Sequence, residues 1–212
     1  MPNYAQAQEV LYHIGISKQM IKNAKYALLP GDPGRVEGLA KALGPAEFLG
    51  CHREFTSWLV TVQGQPVLVI STGMGCPCVS IAMEELARLG ITHFIRVGTT
   101  GSLQENLNLG DVVISKAAVR TDGASKCYAP VEYPAVADLD ITLALRQAAE
   151  ELQIPHQVGI TVTTDSFWPG QERYDSFTGY VPRALQGTLQ EWQKLGCSNF
   201  EMEAATLFVV AN

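Results

Sequence analysis

Residues 26–35, YALLPGDPGR, join a strand pattern directly to a helix pattern, and this junction determines the fold class. The apolar run YALLP favours a short strand. Asp32 can then cap a helix, and Pro33 suits the first helical position. The segment therefore predicts a strand, a turn and a helix in immediate succession, which is the unit from which α/β proteins are built.

The alternation continues on both sides of a predicted hairpin. Residues 56–62 and 66–72 are β-branched runs separated by a connection short enough to pair them antiparallel. Later patterns predict strands at 93–97, 110–119 and 159–164, and helices at 79–90, 141–153, 187–196 and 203–212. We expect a single domain over residues 1–212, an α/β fold of three layers in which helices flank a central mixed β-sheet.

The charge balance and the cysteines restrict the partners and the compartment. Fifteen basic against 21 acidic residues give a formal charge of −6, which argues against a broad cationic surface for nucleic acid or an anionic membrane. The cysteines, odd in number and scattered, are Cys51, Cys76, Cys78, Cys127 and Cys197. With no signal-peptide pattern at the start, they favour a cytoplasmic protein with neither nucleic-acid nor membrane partners.

Two glycine-rich turns are candidate anion sites. Residues 31–35, GDPGR, place backbone N–H groups and Arg35 at a predicted helix start, where an anion is favoured, although such a turn usually only reverses the chain. Residues 96–101, RVGTTG, follow a predicted strand. Their hydroxyls suit a phosphate or a sugar, and the alternative is a polar turn in which Arg96 pairs with a carboxylate.

Two further segments could address a planar ligand and a sugar. Residues 167–173, FWPGQER, combine aromatic rings, an amide and a guanidinium that can read a nucleobase, while a surface loop with a buried tryptophan is the simpler explanation. In Glu201-Met202-Glu203, one carboxylate can bind vicinal hydroxyls. The alternative there is an acidic first turn that complements the dipole of the next helix.

Metal and nucleophile chemistry have little support in the sequence. Cys76 and Cys78 are too close for the usual zinc-ligand spacing, and we interpret them as small buried residues. The four histidines, His13, His52, His93 and His156, show no ligand spacing. No Ser-His-Asp or Walker-type pattern occurs, so we expect no metal site and no nucleophilic triad.

Seven motifs in a fixed order identify a known family. They are GDPGRV, HREFTSW, STGMG, RVGTTGSLQ, DGAS, PGQERYD and NFEMEAATLF. The chain resembles the nucleoside phosphorylase and nucleosidase family, and PGQER is typical of its uridine branch. The resemblance implies a nucleoside phosphorylase-like fold and a transferase that reversibly converts uridine and phosphate into uracil and ribose 1-phosphate. It implies phosphate as co-substrate and no organic cofactor.

The resemblance also assigns roles to individual residues. It implies phosphate binding by Gly31, Arg35, Arg53, Arg96 and Thr99. It implies ribose binding by His13, Thr99, Met202 and Glu203, and base binding by Thr100, Gly101, Phe167, Gln171 and Arg173. Arg96, Arg173 and Glu203 are the expected catalytic residues. Because Arg53 and His13 are expected to act in a neighbouring subunit, we expect a homo-oligomer, a hexamer built from dimers.

The chain departs from the family pattern at two places. Cys76 stands where relatives have glycine, and Cys78 stands where they have serine. Some relatives hold potassium between subunits with that serine and the equivalent of Glu54. A thiol at position 78 therefore weakens the case for potassium. The family's strand, lid loop and helix after the EME helix are expected to be absent, as in a truncated form. Two alternatives therefore stay open: a nucleosidase that uses water, and a non-catalytic nucleoside-binding relative.

Overall fold

The computed structural model describes residues 6–212. They form two compact units, the first ending at Gly98 and the second beginning at Thr99. Each unit contains one five-stranded mixed sheet with helices beside it. The expected α/β fold with mixed sheet and flanking helices is confirmed, whereas the single domain over 1–212 stays a prediction.

The sheet of the first unit has the strand order β2-β3-β4-β1-β5. Its strands are β1 (Tyr26–Pro30), β2 (Ala46–His52), β3 (Phe55–Val62), β4 (Gln65–Ile70) and β5 (His93–Val97). Strand β1 runs parallel to β4 and β5, and the predicted β3–β4 hairpin is antiparallel. A 3₁₀ turn (Pro33–Arg35) leads into α1 (Val36–Leu43), and α2 (Cys76–Leu89) ends at Gly90, whose φ of 98° is left-handed as a C-terminal glycine requires.

The sheet of the second unit has the order β6-β10-β9-β7-β8. Its strands are β6 (Gly101–Ser102), β7 (Val112–Arg120), β8 (Ala135–Val136), β9 (His156–Thr163) and β10 (Asn199–Glu201). Strand β9 is parallel to β7 and β10. The helices are α3 (Ala124–Tyr128), α4 (Leu139–Glu151), α5 (Thr188–Lys194) and α6 (Ala204–Ala211), with a 3₁₀ turn at Arg183–Leu185.

Each sheet is stabilised by apolar packing against a helix. In the first unit, Val36 and Ala40 of α1 pack on Val60 and Val69 of the sheet. In the second, α5 contributes Leu189 and Trp192 to a cluster whose buried members are Leu103, Val162, Cys197 and Phe200. Within residues 6–212, no helix combines the length and apolar character needed to cross a membrane.

Candidate functional site

The first unit brings Gly31, Gly73 and Arg96 together at the carboxyl ends of three neighbouring parallel strands. Arg96 lies on β5 opposite Leu29 of β1. The amide of Gly73, beyond β4, donates to the carbonyl of Gly31 at 3.0 Å. A Cβ atom built on Gly31 would lie only 3.1 Å from Gly73 O and 3.2 Å from Arg96 Nη2. Glycine at this position therefore lets the backbone approach the guanidinium closely.

Arg35 occupies the end of the turn that follows β1. The carboxylate of Asp32 accepts the amide of Gly34 at 2.8 Å, which confirms the predicted capping role of Asp32. The guanidinium of Arg35 stands 3.9 Å from the same carboxylate, and both side chains are largely exposed. An exposed ion pair at this distance contributes little stability. The Arg35 side chain is therefore able to turn toward an anion.

Arg53 and His13 lie in one partly exposed cluster of the first unit. The Arg53 guanidinium is 3.3 Å from the Tyr12 hydroxyl and lies over its ring, and the carbonyl of His13 accepts from His52 at 2.8 Å. The Nδ1 atom of His13 is 2.6 Å from a carboxylate oxygen of Glu85. Glu85 therefore holds the imidazole in one orientation, with Nε2 on the opposite side of the ring.

The second unit assembles four of the expected base-binding residues. Arg173 donates through Nε to Gln171 Oε1 at 3.2 Å, and its guanidinium lies 4.2 Å from the centre of the Phe167 ring. A Cβ on Gly101 would lie 3.1 Å from Arg173 Nη2. Gln171 is buried while Trp168 is about half exposed, so burying a tryptophan does not explain this loop.

Thr100 is the end of a hydrogen-bonded chain across the second sheet. Its hydroxyl donates to the carbonyl of Phe200 and accepts from Asn199 Nδ2 at 2.6 Å. The side-chain oxygen of Asn199, Oδ1, accepts from the Thr161 hydroxyl at 2.9 Å, and the Thr161 hydroxyl is 2.5 Å from the Ser115 hydroxyl. Sequence reasoning missed Ser115, Thr161 and Asn199, because polar residues on separate strands give no local signal of pairing.

The two carboxylates of the EME motif have different surroundings. Glu201 Oε2 accepts the amides of Glu203 and Ala204, both at 2.7 Å, and Oε1 accepts the Thr163 hydroxyl. The Glu201 carboxylate thus binds N–H groups at the start of α6. For this residue, the alternative of an acidic side chain that complements the helix dipole is the better interpretation. Glu203 is buried at the N-cap position of α6, and Met202 is partly buried. Ribose binding by Met202 and Glu203 stays a prediction.

The pKa of the Glu201 carboxyl lies above its ordinary value of 4.5, chiefly because the group is buried. The hydrogen bond from Thr163 lowers this pKa, the nearby Glu203 raises it, and the hydrogen bonds from the two amides lower it. Between the ordinary pKa and the raised pKa the folded state binds more protons than the unfolded state. The free energy of unfolding should therefore fall as pH rises through this window, by about 1.4 kcal/mol for each pH unit, and level off above it.

Urea denaturation of the wild type and of Glu201→Gln between pH 4.5 and 8 measures this contribution. The glutamine variant should lack the fall. Glu191→Gln, which removes an exposed carboxylate from α5, should follow the wild-type profile. Parallel profiles for the wild type and Glu201→Gln would contradict the raised pKa.

The two units offer complementary chemistry. The first collects glycine backbone and guanidinium groups suited to an anion, and the second an aromatic ring, an amide and a guanidinium suited to a polar heterocycle. These features are typical of an α/β protein that binds an anionic and a heterocyclic ligand. The sequence model of the phosphorylase superfamily matches residues 25–212, and the chain belongs to that family.

Curated relatives cover most of the chain. A uridine phosphorylase of Haemophilus influenzae is 51% identical over 95% of this chain and 80% of its own length. A uridine phosphorylase of Escherichia coli is 48% identical over 94% of this chain and 79% of its own length. A guanosine phosphorylase of Halorubrum lacusprofundi is 37% identical over 87% of this chain and 71% of its own length. The resemblance inferred from the motifs is confirmed.

Proposed function

We propose that this chain catalyses the reversible phosphorolysis of uridine. The observation that carries the proposal is the cluster of Arg173, Gln171 and Phe167 beside Gly101. A buried amide and a guanidinium beside an aromatic ring suit the carbonyl edge and the face of uracil. The similarity to relatives named uridine phosphorylase supports the same substrate.

The reaction is a displacement at the anomeric carbon. A phosphate oxygen forms the bond to C1′ as the bond from C1′ to N1 of uracil breaks, and the electron pair of that bond leaves with the base. Uracil then takes up the proton that hydrogen phosphate loses on forming the ester, and ribose 1-phosphate is the other product. In the transition state the sugar is cationic and the base anionic, so groups that bind these charges accelerate the step.

Each predicted site residue then has a role. Gly31, Arg35 and Arg96 bind phosphate, and Arg96 orients the attacking oxygen. Met202 and the Glu203 carboxylate bind the ribose, and Glu203 favours its positive charge. Arg173 and Gln171 hydrogen-bond the base as its negative charge develops, with Thr100, Gly101 and Phe167 contacting the ring. Thr99 is assigned to phosphate and ribose on the family resemblance.

Arg53 and His13 are proposed to act in the phosphate and ribose sites of a neighbouring subunit. The cluster that they form with Tyr12 and His52 supports this, because one contact surface would carry both residues. His13 Nε2 is the nitrogen that we assign to the ribose, since Nδ1 faces Glu85. The proposal therefore includes a homo-oligomer, a hexamer built from dimers, in the cytoplasm.

Phosphate is the co-substrate, and we assign no organic cofactor. Whether the chain could bind potassium depends on the side chains at the expected position of the ion, beside Gly73. A Cβ on Gly73 would lie 2.9 Å from Glu54 Cγ and 3.7 Å from Cys78 Cβ, so both side chains lie at this turn. A thiol is a poor ligand for a hard cation, and this donor set does not fit potassium.

The decisive assay mixes the purified chain with uridine, with and without phosphate, and follows uracil and ribose 1-phosphate by chromatography. We expect both products, and only with phosphate. Uracil without phosphate would show the nucleosidase alternative. Saturable uridine binding without product would show the non-catalytic alternative.

Gly31→Ala tests the phosphate site without removing a charge. The new Cβ would press on Gly73 O and Arg96 Nη2, and a displacement that costs about 1 kcal/mol should raise the KM for phosphate about fivefold. The KM for uridine should change less. Gly38→Ala on α1 is the matched control, because its Cβ meets no heavy atom within 4 Å and should leave the phosphate KM unchanged. Equal phosphate KM values for both variants would contradict the assignment.

A further inference from the structure

Glu172 separates the two polar residues of the proposed base site, yet its side chain is bound elsewhere. One carboxylate oxygen accepts the amide of Gly187 at 2.6 Å, and the other accepts the amide of Leu189 at 2.7 Å. The Tyr174 hydroxyl donates to the first oxygen at 3.0 Å. Both amides belong to the beginning of α5, so Glu172 connects the loop of residues 167–173 to that helix.

The backbone at Glu172 is held in an unfavourable conformation. Its φ is 51°, in the left-handed region that costs a non-glycine residue free energy. The loop closes on itself through the amide of Arg173, which donates to the carbonyl of Trp168 at 2.8 Å. The three hydrogen bonds to the Glu172 carboxylate offset the cost of this backbone conformation. Without them, the backbone of Glu172 would relax and turn Gln171 away from Arg173.

The helix that receives Glu172 is itself fixed to the strand that carries Gly101. Leu189 and Trp192 of α5 pack against the cluster that contains Leu103, immediately after β6. Gln193 of α5 donates to the carbonyl of Leu103 at 2.9 Å. A continuous set of contacts therefore links the Glu172 carboxylate, α5 and the strand of Gly101. A Cβ built on Gly101 would lie 3.1 Å from Arg173 Nη2.

We propose that Glu172 is a positioning residue whose carboxylate ties the 167–173 loop to the start of α5 and so holds Gln171 and Arg173 beside Gly101. The role rests on the proposed function, because it supposes that this cluster binds uracil. Burial alone raises the pKa of Glu172, but the hydrogen bonds, led by those from the amides of Gly187 and Leu189, outweigh it and lower the pKa. The carboxylate thus stays ionised and keeps accepting both amides at neutral pH.

Glu172→Gln is the first test, because glutamine keeps the length but presents an NH₂ group to one of the two amides. The KM for uridine should rise about tenfold, the order expected when charge-assisted hydrogen bonds are lost, while the KM for phosphate stays within about twofold. Amide hydrogen exchange at Gly187 and Leu189 should quicken. Glu191→Gln on the same helix is the control and should match the wild type in all three measurements.

Glu172→Gly separates the side-chain contact from the backbone conformation, since glycine adopts a φ of 51° without cost. It should raise the uridine KM by less than Glu172→Gln does, because it removes the contact to α5 but not the preference for this φ. A wild-type uridine KM in either variant, or an equal rise in the KM values for uridine and phosphate, overturns the positioning role. A wild type that releases no uracil with phosphate overturns the proposed function, and the positioning role with it.

Discussion

Arg173→Ala is expected to reduce kcat/KM for uridine about 10²- to 10³-fold, as removal of one preorganised donor to a developing negative charge does in other enzymes. The variant loses the guanidinium over Phe167 and the donor that orients the Gln171 amide. Because the charge on uracil grows only in the transition state, kcat should fall as well as kcat/KM. Steady-state kinetics at saturating phosphate measures both.

Two further variants make this result specific. Arg183→Ala removes an exposed arginine from the 3₁₀ turn of the same unit and should retain wild-type rates. Arg173→Lys keeps the charge but not the planar fork, and should recover only part of the lost rate. Unchanged uridine turnover by Arg173→Ala would remove Arg173 from the base site.

Arg96→Ala should have an effect of similar size on the other substrate. A bidentate guanidinium both binds the phosphate dianion and aligns its attacking oxygen, so we expect kcat/KM for phosphate to fall about 10²-fold or more. Uridine binding, measured by calorimetry without phosphate, should change much less. Guanidinium ion added to the assay should restore part of the rate, since it can occupy the space left by the side chain.

The control for Arg96→Ala is Arg146→Ala, which removes an exposed arginine paired with Glu150 on α4. It should leave the phosphate dependence unchanged. If Arg96→Ala weakened uridine binding and phosphate dependence to the same extent, the residue would be structural and its assignment to phosphate would be wrong.

The sequence predicts best those features that depend on neighbouring residues in the chain. Asp32 and Pro33 start a helical turn, Gly90 ends α2, and the β3–β4 hairpin has its short connection, because each depends on local backbone preference. Strand β2 was missed because it lies at a sheet edge and is largely exposed, so its sequence lacks a clear buried face.

Within the candidate site, contacts between residues that lie close together in sequence could be predicted, and contacts between distant residues could not. Gln171 and Arg173 could be paired from the motif alone. By contrast, Glu172 meets Gly187 and Leu189, and Glu85 meets His13, across separations that no local pattern encodes. The EME motif shows the same limit, because only the structure reveals that the Glu201 carboxylate accepts the amides of Glu203 and Ala204 at the start of α6.

The hydrogen-bonded chain that ends at Thr100 has a direction. The Thr161 hydroxyl donates its single proton to the side-chain oxygen of Asn199, so the Ser115 hydroxyl must be the donor to Thr161. Asn199 then donates to Thr100, whose own proton goes to the carbonyl of Phe200. Every hydroxyl proton in the row is thus donated, and the Thr100 oxygen keeps only a lone pair. Any ligand atom that meets this oxygen must therefore bring its own hydrogen, as the N–H group of a neutral pyrimidine does and a bare ring nitrogen does not.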